Sequence, residues 1–165
     1  MAKTIVELNP DRCVCCYACV AACQDLHYDV DETGPALRRA LRQEDAAGTI
    51  RCGSIGCMHC ETAACLTVCP TGAIRRDPET GLVVTESSLC VGCRRCRKAC
   101  PYGVPQFTAD KRMVKCDGCI DRLRRGLEPV CVKTCPSGAL YLREPDAPGP
   151  SAPLLRQLFG KVETP

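Results

Sequence analysis

The residues in this 165-residue chain that could do chemistry are its cysteines. Sixteen of the eighteen fall into four groups: Cys13, Cys16, Cys19, Cys23; Cys57, Cys60, Cys65, Cys69; Cys90, Cys93, Cys96, Cys100; and Cys116, Cys119, Cys131, Cys135. The first and third share the spacing C-x2-C-x2-C-x3-C; the second reads C-x2-C-x4-C-x3-C and the fourth C-x2-C-x11-C-x3-C. Two residues between cysteines let one tight loop present successive sulfurs to adjacent irons of a cubane. A fourth cysteine, one helical turn beyond the third, points away from that loop toward a second cluster. This is the logic of two-cluster ferredoxins, whose last cysteine serves the other cluster. Three groups continue as Cys-Pro, at Cys69-Pro70, Cys100-Pro101 and Cys135-Pro136, where proline helps to end a short helix.

Motifs of this kind work in pairs. Groups two and three span residues 57–100, with 20 residues between Cys69 and Cys90, the size of a compact two-cluster ferredoxin. Groups one and four are then left to each other. The expected sites are four 4Fe–4S clusters: Cys13, Cys16, Cys19 with Cys135; Cys116, Cys119, Cys131 with Cys23; Cys57, Cys60, Cys65 with Cys100; and Cys90, Cys93, Cys96 with Cys69. The rival is sequential pairing, one with two and three with four, across the 33 residues between Cys23 and Cys57.

Other readings compete at each position. Cys-x2-Cys pairs also form zinc knuckles, which would make the chain a zinc-stabilised interaction module. Yet a tetrahedral zinc site wants two such pairs, and groups one and three offer three close cysteines plus a fourth. Cys15 and Cys52 fall outside the register and read as small buried hydrophobes. His59, inside the second motif, suits packing or hydrogen bonding near sulfur, and His27 reads as structural or surface. Arg94, Arg95, Arg97 and Lys98, with Arg122, Arg124 and Arg125, read as a solvated face, as charge that raises a nearby cluster's potential, or as a docking surface for an acidic partner.

Short elements must hold these sulfurs. Lys3–Leu8 and Leu140–Arg143 read as strands; Asp77–Gly81 reads as a hairpin turn with Leu82–Val84 as the return strand. Ala36–Gln43 could be helix or strand. The expected organisation is 1–56 as the first half of an outer ferredoxin unit plus connector, 57–100 as an inserted two-cluster unit, 101–144 as the second outer half, and 145–165 as a proline-rich tail. Pro145, Pro148, Pro150 and Pro153 stiffen that tail. Leu154, Leu155, Leu158 and Phe159 line one face of a short helix, either a frayed terminus or a docking segment.

Composition agrees with a metal-held chain. Hydrophobic residues make up 45%, but there is no Trp, and only four Tyr and two Phe, so large core side chains are scarce. The longest apolar run, Cys13 to Cys23, is too short to span a bilayer. The opening residues show no secretory h-region, so the expectation is a soluble protein of the reducing cytoplasm, with thiols rather than disulfides. The formal charge is +3. Sixteen thiolates around four oxidised clusters would bring it to about −5, so the Lys and Arg surplus offsets clusters and is no nucleic-acid footprint. No nucleophile–base pair, carboxylate pair or nucleotide-binding glycine pattern stands out, so no catalytic residue is expected.

The pattern resembles the iron–sulfur subunits of the dimethyl sulfoxide reductase family and their relatives in formate dehydrogenases, hydrogenases and tungsten-dependent aldehyde oxidoreductases. The resemblance covers roughly residues 3–144. It rests on the four motifs, on Cys57-Met58-His59-Cys60, on Cys69-Pro70-Thr71-Gly72-Ala73-Ile74 and on Lys115-Cys116-Asp117-Gly118-Cys119. It implies an α+β double ferredoxin-like fold, four clusters in a row, nested pairing and a larger catalytic partner carrying a molybdenum or tungsten pterin. The chain would be a non-catalytic electron-transfer subunit of that oxidoreductase, meeting a further electron-acceptor subunit or copies of itself at its other end. The alternative is a free-standing polyferredoxin carrier.

Overall fold

The computed structural model describes residues 5–143 and 152–159. Lys3, Thr4 and the prolines at 145, 148 and 150 lie outside the described residues. The architecture is α+β, with short helices and short strands. Among the described residues, eight strands form four antiparallel two-stranded ribbons.

The first ribbon joins sequence-distant segments. Strand β1 (Ile5–Leu8) pairs with β8 (Leu140–Arg143) in the register Leu8↔Leu140 to Ile5↔Arg143. Asn9 N–H continues the ladder to the Ala139 carbonyl at 2.7 Å. Helix α1 (Ala18–His27), alanine-rich and so a ready helix former, packs on α5 (Val130–Lys133) beside this ribbon. The first and fourth cysteine motifs therefore meet.

A second arrangement of the same kind lies within 57–100. Helix α2 (Ala64–Thr67) packs on α3 (Arg95–Ala99), and β4 (Ile74–Arg76) pairs with β5 (Val83–Thr85) across the expected 77–81 turn. A small ribbon of β6 (Gln106–Phe107) and β7 (Met113–Val114) and the helix α4 (Ile120–Arg124) connect this part to the C-terminal motif.

Ala36–Gln43, ambiguous by periodicity, proves extended. Strand β2 (Arg39–Glu44) makes a hairpin with β3 (Ile50–Ile55). Asp45 closes it by accepting from the N–H groups of Ala47 and Thr49. That hairpin also seats residues 152–159. Helix α6 (Ala152–Phe159) lies on β3 with Leu155 1% and Leu158 2% exposed. A Cβ on Gly53 would come within 2.5 Å of Leu158 Cδ1, so only glycine lets the helix seat this closely. The apolar face read as a frayed terminus or a partner-docking segment is covered by the chain itself.

The core is divided and sulfur-rich. One part gathers Leu8, Ile55, Tyr102, Val104, Leu140 and α6 around Cys19 and Cys131; the other gathers Ala63, Ile74, Val83 and Met113 around Cys96. Among the described residues no helix is long and apolar enough to cross a membrane.

Candidate iron–sulfur sites

Each motif loop is shaped by a left-handed residue just before its second cysteine: Cys15 (φ 51°), His59 (φ 43°), Gly92 (φ 69°) and Gly118 (φ 78°). Such turns aim successive backbone N–H groups into a shared concavity that receives anionic groups, iron–sulfur clusters among them. The identically spaced first and third motifs add a second left-handed residue, Tyr17 (φ 64°) and Arg94 (φ 61°), which caps α1 and α3. In all four motifs the third cysteine is then the second residue of a helix: Cys19, Cys65, Cys96 and Cys131. One turn on comes the fourth cysteine, facing elsewhere. At Gly118 a Cβ would also meet Leu82 Cδ1 at 2.9 Å and His59 Nε2 at 3.2 Å, so conformation and space both select glycine there.

These loops place sulfurs from different motifs around common spaces. Cys13, Cys16, Cys19 and Cys135 line one cavity of about 330 Å³ including its open mouth. Cys69, Cys90, Cys93 and Cys96 line a second of about 320 Å³. Cys57, Cys60, Cys65 and Cys100 line a third, wider one of about 1560 Å³ that runs to the surface beside Arg143 and Arg156. Cys23 has the charges of Cys116, Cys131 and Cys119 as its thiol neighbours, and all four are buried. The groups brought together are those of nested pairing. None of the eighteen cysteines is in a disulfide.

Burial, followed by repulsion from neighbouring thiolates, pushes Cys23 well above the usual thiol range. Cys119 is pushed up to about 12 and Cys65 and Cys96 to about 11, with burial the first cause in each. Sulfurs so placed ionise only against strong positive charge, which a bound metal supplies by deprotonating its thiol ligands outright. Cys69 and Cys135 behave differently. Burial opposes their ionisation, but hydrogen bonds from Thr71 and Ser137 and from following backbone N–H groups outweigh it and hold both thiols below the usual range. The repeated Pro-x-Gly-Ala after each produces this matched setting. Four sulfurs per group, around a cavity or buried together, fit a 4Fe–4S cluster.

Neighbour relations also order the groups. Arg38 senses Cys19 on one side and Cys131, Cys116 and Cys23 on the other. Cys116 lies near Cys57, and Cys65 near Cys96. The sequence of groups is therefore Cys13/16/19/135, Cys23/116/119/131, Cys57/60/65/100 and Cys69/90/93/96. The two exposed cysteines, Cys16 and Cys93, belong to the first and last of these.

Two buried cations in this row escaped sequence reading. Arg38 is 2% exposed and Lys115 6%. Lys115 Nζ donates to the carbonyls of Val83 and Cys116, and its charge favours the Cys65 thiolate. Lys115 belongs to a motif that carried the family resemblance, but adjacency to Cys116 gave no hint of burial; Arg38 sat in the segment with no readable period. The basic residues singled out from sequence are mostly placed differently. Arg94, Arg95 and Lys98 are exposed, with Arg94 stacked over Phe107 at 5.4 Å. Arg97 donates to the Pro105 carbonyl and Gln106, Arg122 to the Glu128 carbonyl and Arg125 to the Asp121 carbonyl. Arg124 pairs with Asp77 at 2.9 Å and Glu79 at 3.1 Å, tying α4 to the β4–β5 turn.

His59 is buried, and its Nδ1 accepts from Val83 N–H at 3.0 Å, which leaves the proton on Nε2. His27 Nε2 reaches Asp117 Oδ1 at 3.7 Å, joining α1 to the fourth motif. Cys15 lines the same cavity as Cys13 and has Cys52 and Tyr17 as neighbours, so the two supernumerary thiols sit together beside the first group.

Residues 49–145 match the 4Fe-4S dicluster domain family. The chain is 41% identical over 145 residues to the B subunit of the anaerobic dimethyl sulfoxide reductase of Escherichia coli (strain K12), covering 81% of this chain and 69% of that one. It is 39% identical over 135 residues to the thiosulfate reductase electron transfer subunit PhsB of Salmonella typhi, covering 78% and 69%. It is 34% identical over 158 residues to the nitrate-inducible formate dehydrogenase iron-sulfur subunit of Escherichia coli (strain K12), covering 85% of this chain and 54% of that one.

Proposed function

Since the chain belongs to the 4Fe-4S dicluster domain family, we propose that it is the electron-transfer subunit of an oxidoreductase complex and holds four 4Fe–4S clusters. The ligands are Cys13, Cys16, Cys19 and Cys135; Cys23, Cys116, Cys119 and Cys131; Cys57, Cys60, Cys65 and Cys100; and Cys69, Cys90, Cys93 and Cys96. The observation that carries this is that three of these quartets each line one cavity, each including a sulfur lent by another motif.

We read the chain as a double ferredoxin-like fold, with 57–100 as an inserted two-cluster unit and the segments before and after it as the two halves of an outer one. The antiparallel pairing of Ile5–Leu8 with Leu140–Arg143 supports that division. Bound clusters supply one-electron oxidation and reduction. The chain's own residues hold the sulfurs, exclude water from the interior groups and set potentials through charge and hydrogen bonds to sulfur. Ser54 Oγ at 3.2 Å from Cys19 Sγ and Met113 N–H donating to Cys90 Sγ at 3.3 Å are two such contacts.

The partner we assign is a larger catalytic subunit, on the strength of relatives named as chains or subunits of dimethyl sulfoxide reductase, thiosulfate reductase and formate dehydrogenase; its molybdenum- or tungsten-pterin type, as in a formate dehydrogenase or aldehyde oxidoreductase, rests on the resemblance of the cysteine motifs. The two groups with exposed cysteines would face that partner at one end and a further acceptor or another copy at the other. Cysteine usage supports the reducing cytoplasm as its compartment. Iron and acid-labile sulfide analysis of the anaerobically prepared chain tests the reading: about sixteen of each per chain are expected from cubane ligation. A folded chain carrying zinc alone would contradict it.

A further inference from the structure

Arg38 is a buried cation, 2% exposed, with no carboxylate paired to it among the described residues. Nη1 donates to Ser54 Oγ at 3.1 Å, and that same oxygen lies 3.2 Å from Cys19 Sγ. On the other side the Arg38 charge acts on the Cys131, Cys116 and Cys23 sulfurs. Gly56 leaves the room: a Cβ there would sit 3.1 Å from both Arg38 Nη2 and Cys116 Sγ. The guanidinium therefore lies between sulfurs of the first group and sulfurs of the second.

An unpaired charge in a dry interior is strongly unfavourable. Guanidinium cannot escape the cost by losing its proton. Neutral thiols would leave it uncompensated, so its counter-charge must come from the anionic cluster–thiolate groups on either side.

Resting on the ligand assignment above, we propose that Arg38 is a fixed positive charge that raises the reduction potentials of the two clusters it separates, those on Cys13/16/19/135 and on Cys23/116/119/131. A reduced cluster is one charge more negative than an oxidised one, and a nearby cation in a low-dielectric interior favours that form. Solvent and salt weaken the same effect for the exposed Arg94, Arg95 and Lys98. Arg38 acts where they do not, on the pair of clusters at one end of the row.

The test is an anaerobic potentiometric titration of the iron-loaded chain, followed by electron paramagnetic resonance, for Arg38→Gln and Arg38→Lys. Signals are assigned beforehand with single ligand variants. Arg38→Gln should lower the reduced-to-oxidised ratio of the two flanking clusters about tenfold at the wild-type midpoint, about 59 mV for one electron. The two clusters of residues 57–100 should keep their potentials, and Arg38→Lys should stay close to wild type. Full iron content in Arg38→Gln with unshifted potentials, or an equal shift in all four clusters, overturns the proposal while leaving the ligand assignment intact. A wild-type chain that binds no iron defeats the assignment and the proposal together. If Arg38→Gln loses iron only from the two flanking sites and Arg38→Lys retains it, the charge requirement is upheld; loss in both variants overturns it, because a packing role then suffices.

Discussion

At the scale of the residue, the position before the second ligand decides the shape of every loop, and the chain fills it with Cys15, His59, Gly92 and Gly118. His59 is held there by the Val83 N–H and by packing. Cys15 is less enclosed, and the neighbours of its thiol include Cys52, Tyr17 and Cys13. A non-glycine residue at such φ costs about 1 kcal/mol. Cys15→Gly should therefore keep all iron and raise stability to urea by about that amount. Loss of one cluster's iron in that variant would instead make Cys15 a ligand in place of Cys13 or Cys16. The cysteine register alone named the quartets that share cavities in the structure, because ligand spacing is a local property. The buried charge of Arg38 was not legible, because what desolvates it is a hairpin and two motifs remote in sequence.

At the scale of the element, short helices and ribbons hold position through a few specific contacts. The end helix Ala152–Phe159 depends on Leu155, Leu158 and Phe159 filling the space above Gly53. Leu158→Ala should lower unfolding stability by roughly 2–5 kcal/mol, read as a reduced urea midpoint at unchanged slope. An unchanged midpoint would mean the helix contributes nothing to the fold. The apolar face of this helix was legible from residue spacing, but its docking site was not, since Gly53 advertises space only once the strand beneath it is known. The strands at Ile5–Leu8 and Leu140–Arg143 and the 77–81 turn were legible from alternation and turn residues. The 36–43 segment was not, since Arg38, Arg39 and Arg42 interrupt any apolar period.

The 77–81 turn carries its own pH signature. Hydrogen bonds from the Thr80 hydroxyl and backbone, helped by Arg124 and opposed by burial, hold Asp77 below the usual carboxylate range. A carboxylate with a depressed folded-state pKa stabilises fully above its unfolded value of about 3.9, and that contribution is lost as pH falls through the folded pKa. Asp77→Asn should lower the urea midpoint at neutral pH and flatten its decline below about pH 4. Identical pH profiles for the two proteins would show that the turn and its Arg124 tie add no pH-dependent stability.

At the scale of the whole molecule, four groups of sulfur follow one another from Cys16 to Cys93, and the path runs through cysteines contributed by all four motifs. On the proposed ligation, exchange of the fourth cysteine between motifs would join the segments that carry β1 and β8 and let a chain poor in aromatic residues stay folded around inorganic cores. The most direct measurement is the electron paramagnetic resonance spectrum of iron-loaded Cys135→Ser beside that of Cys13→Ser. Crosswise ligation predicts that both substitutions alter the same cluster signal and leave the signal assigned by Cys116→Ser in place. If Cys135→Ser instead altered the signal that depends on Cys90 and Cys93, neighbouring motifs would be paired in sequence and the account would fail.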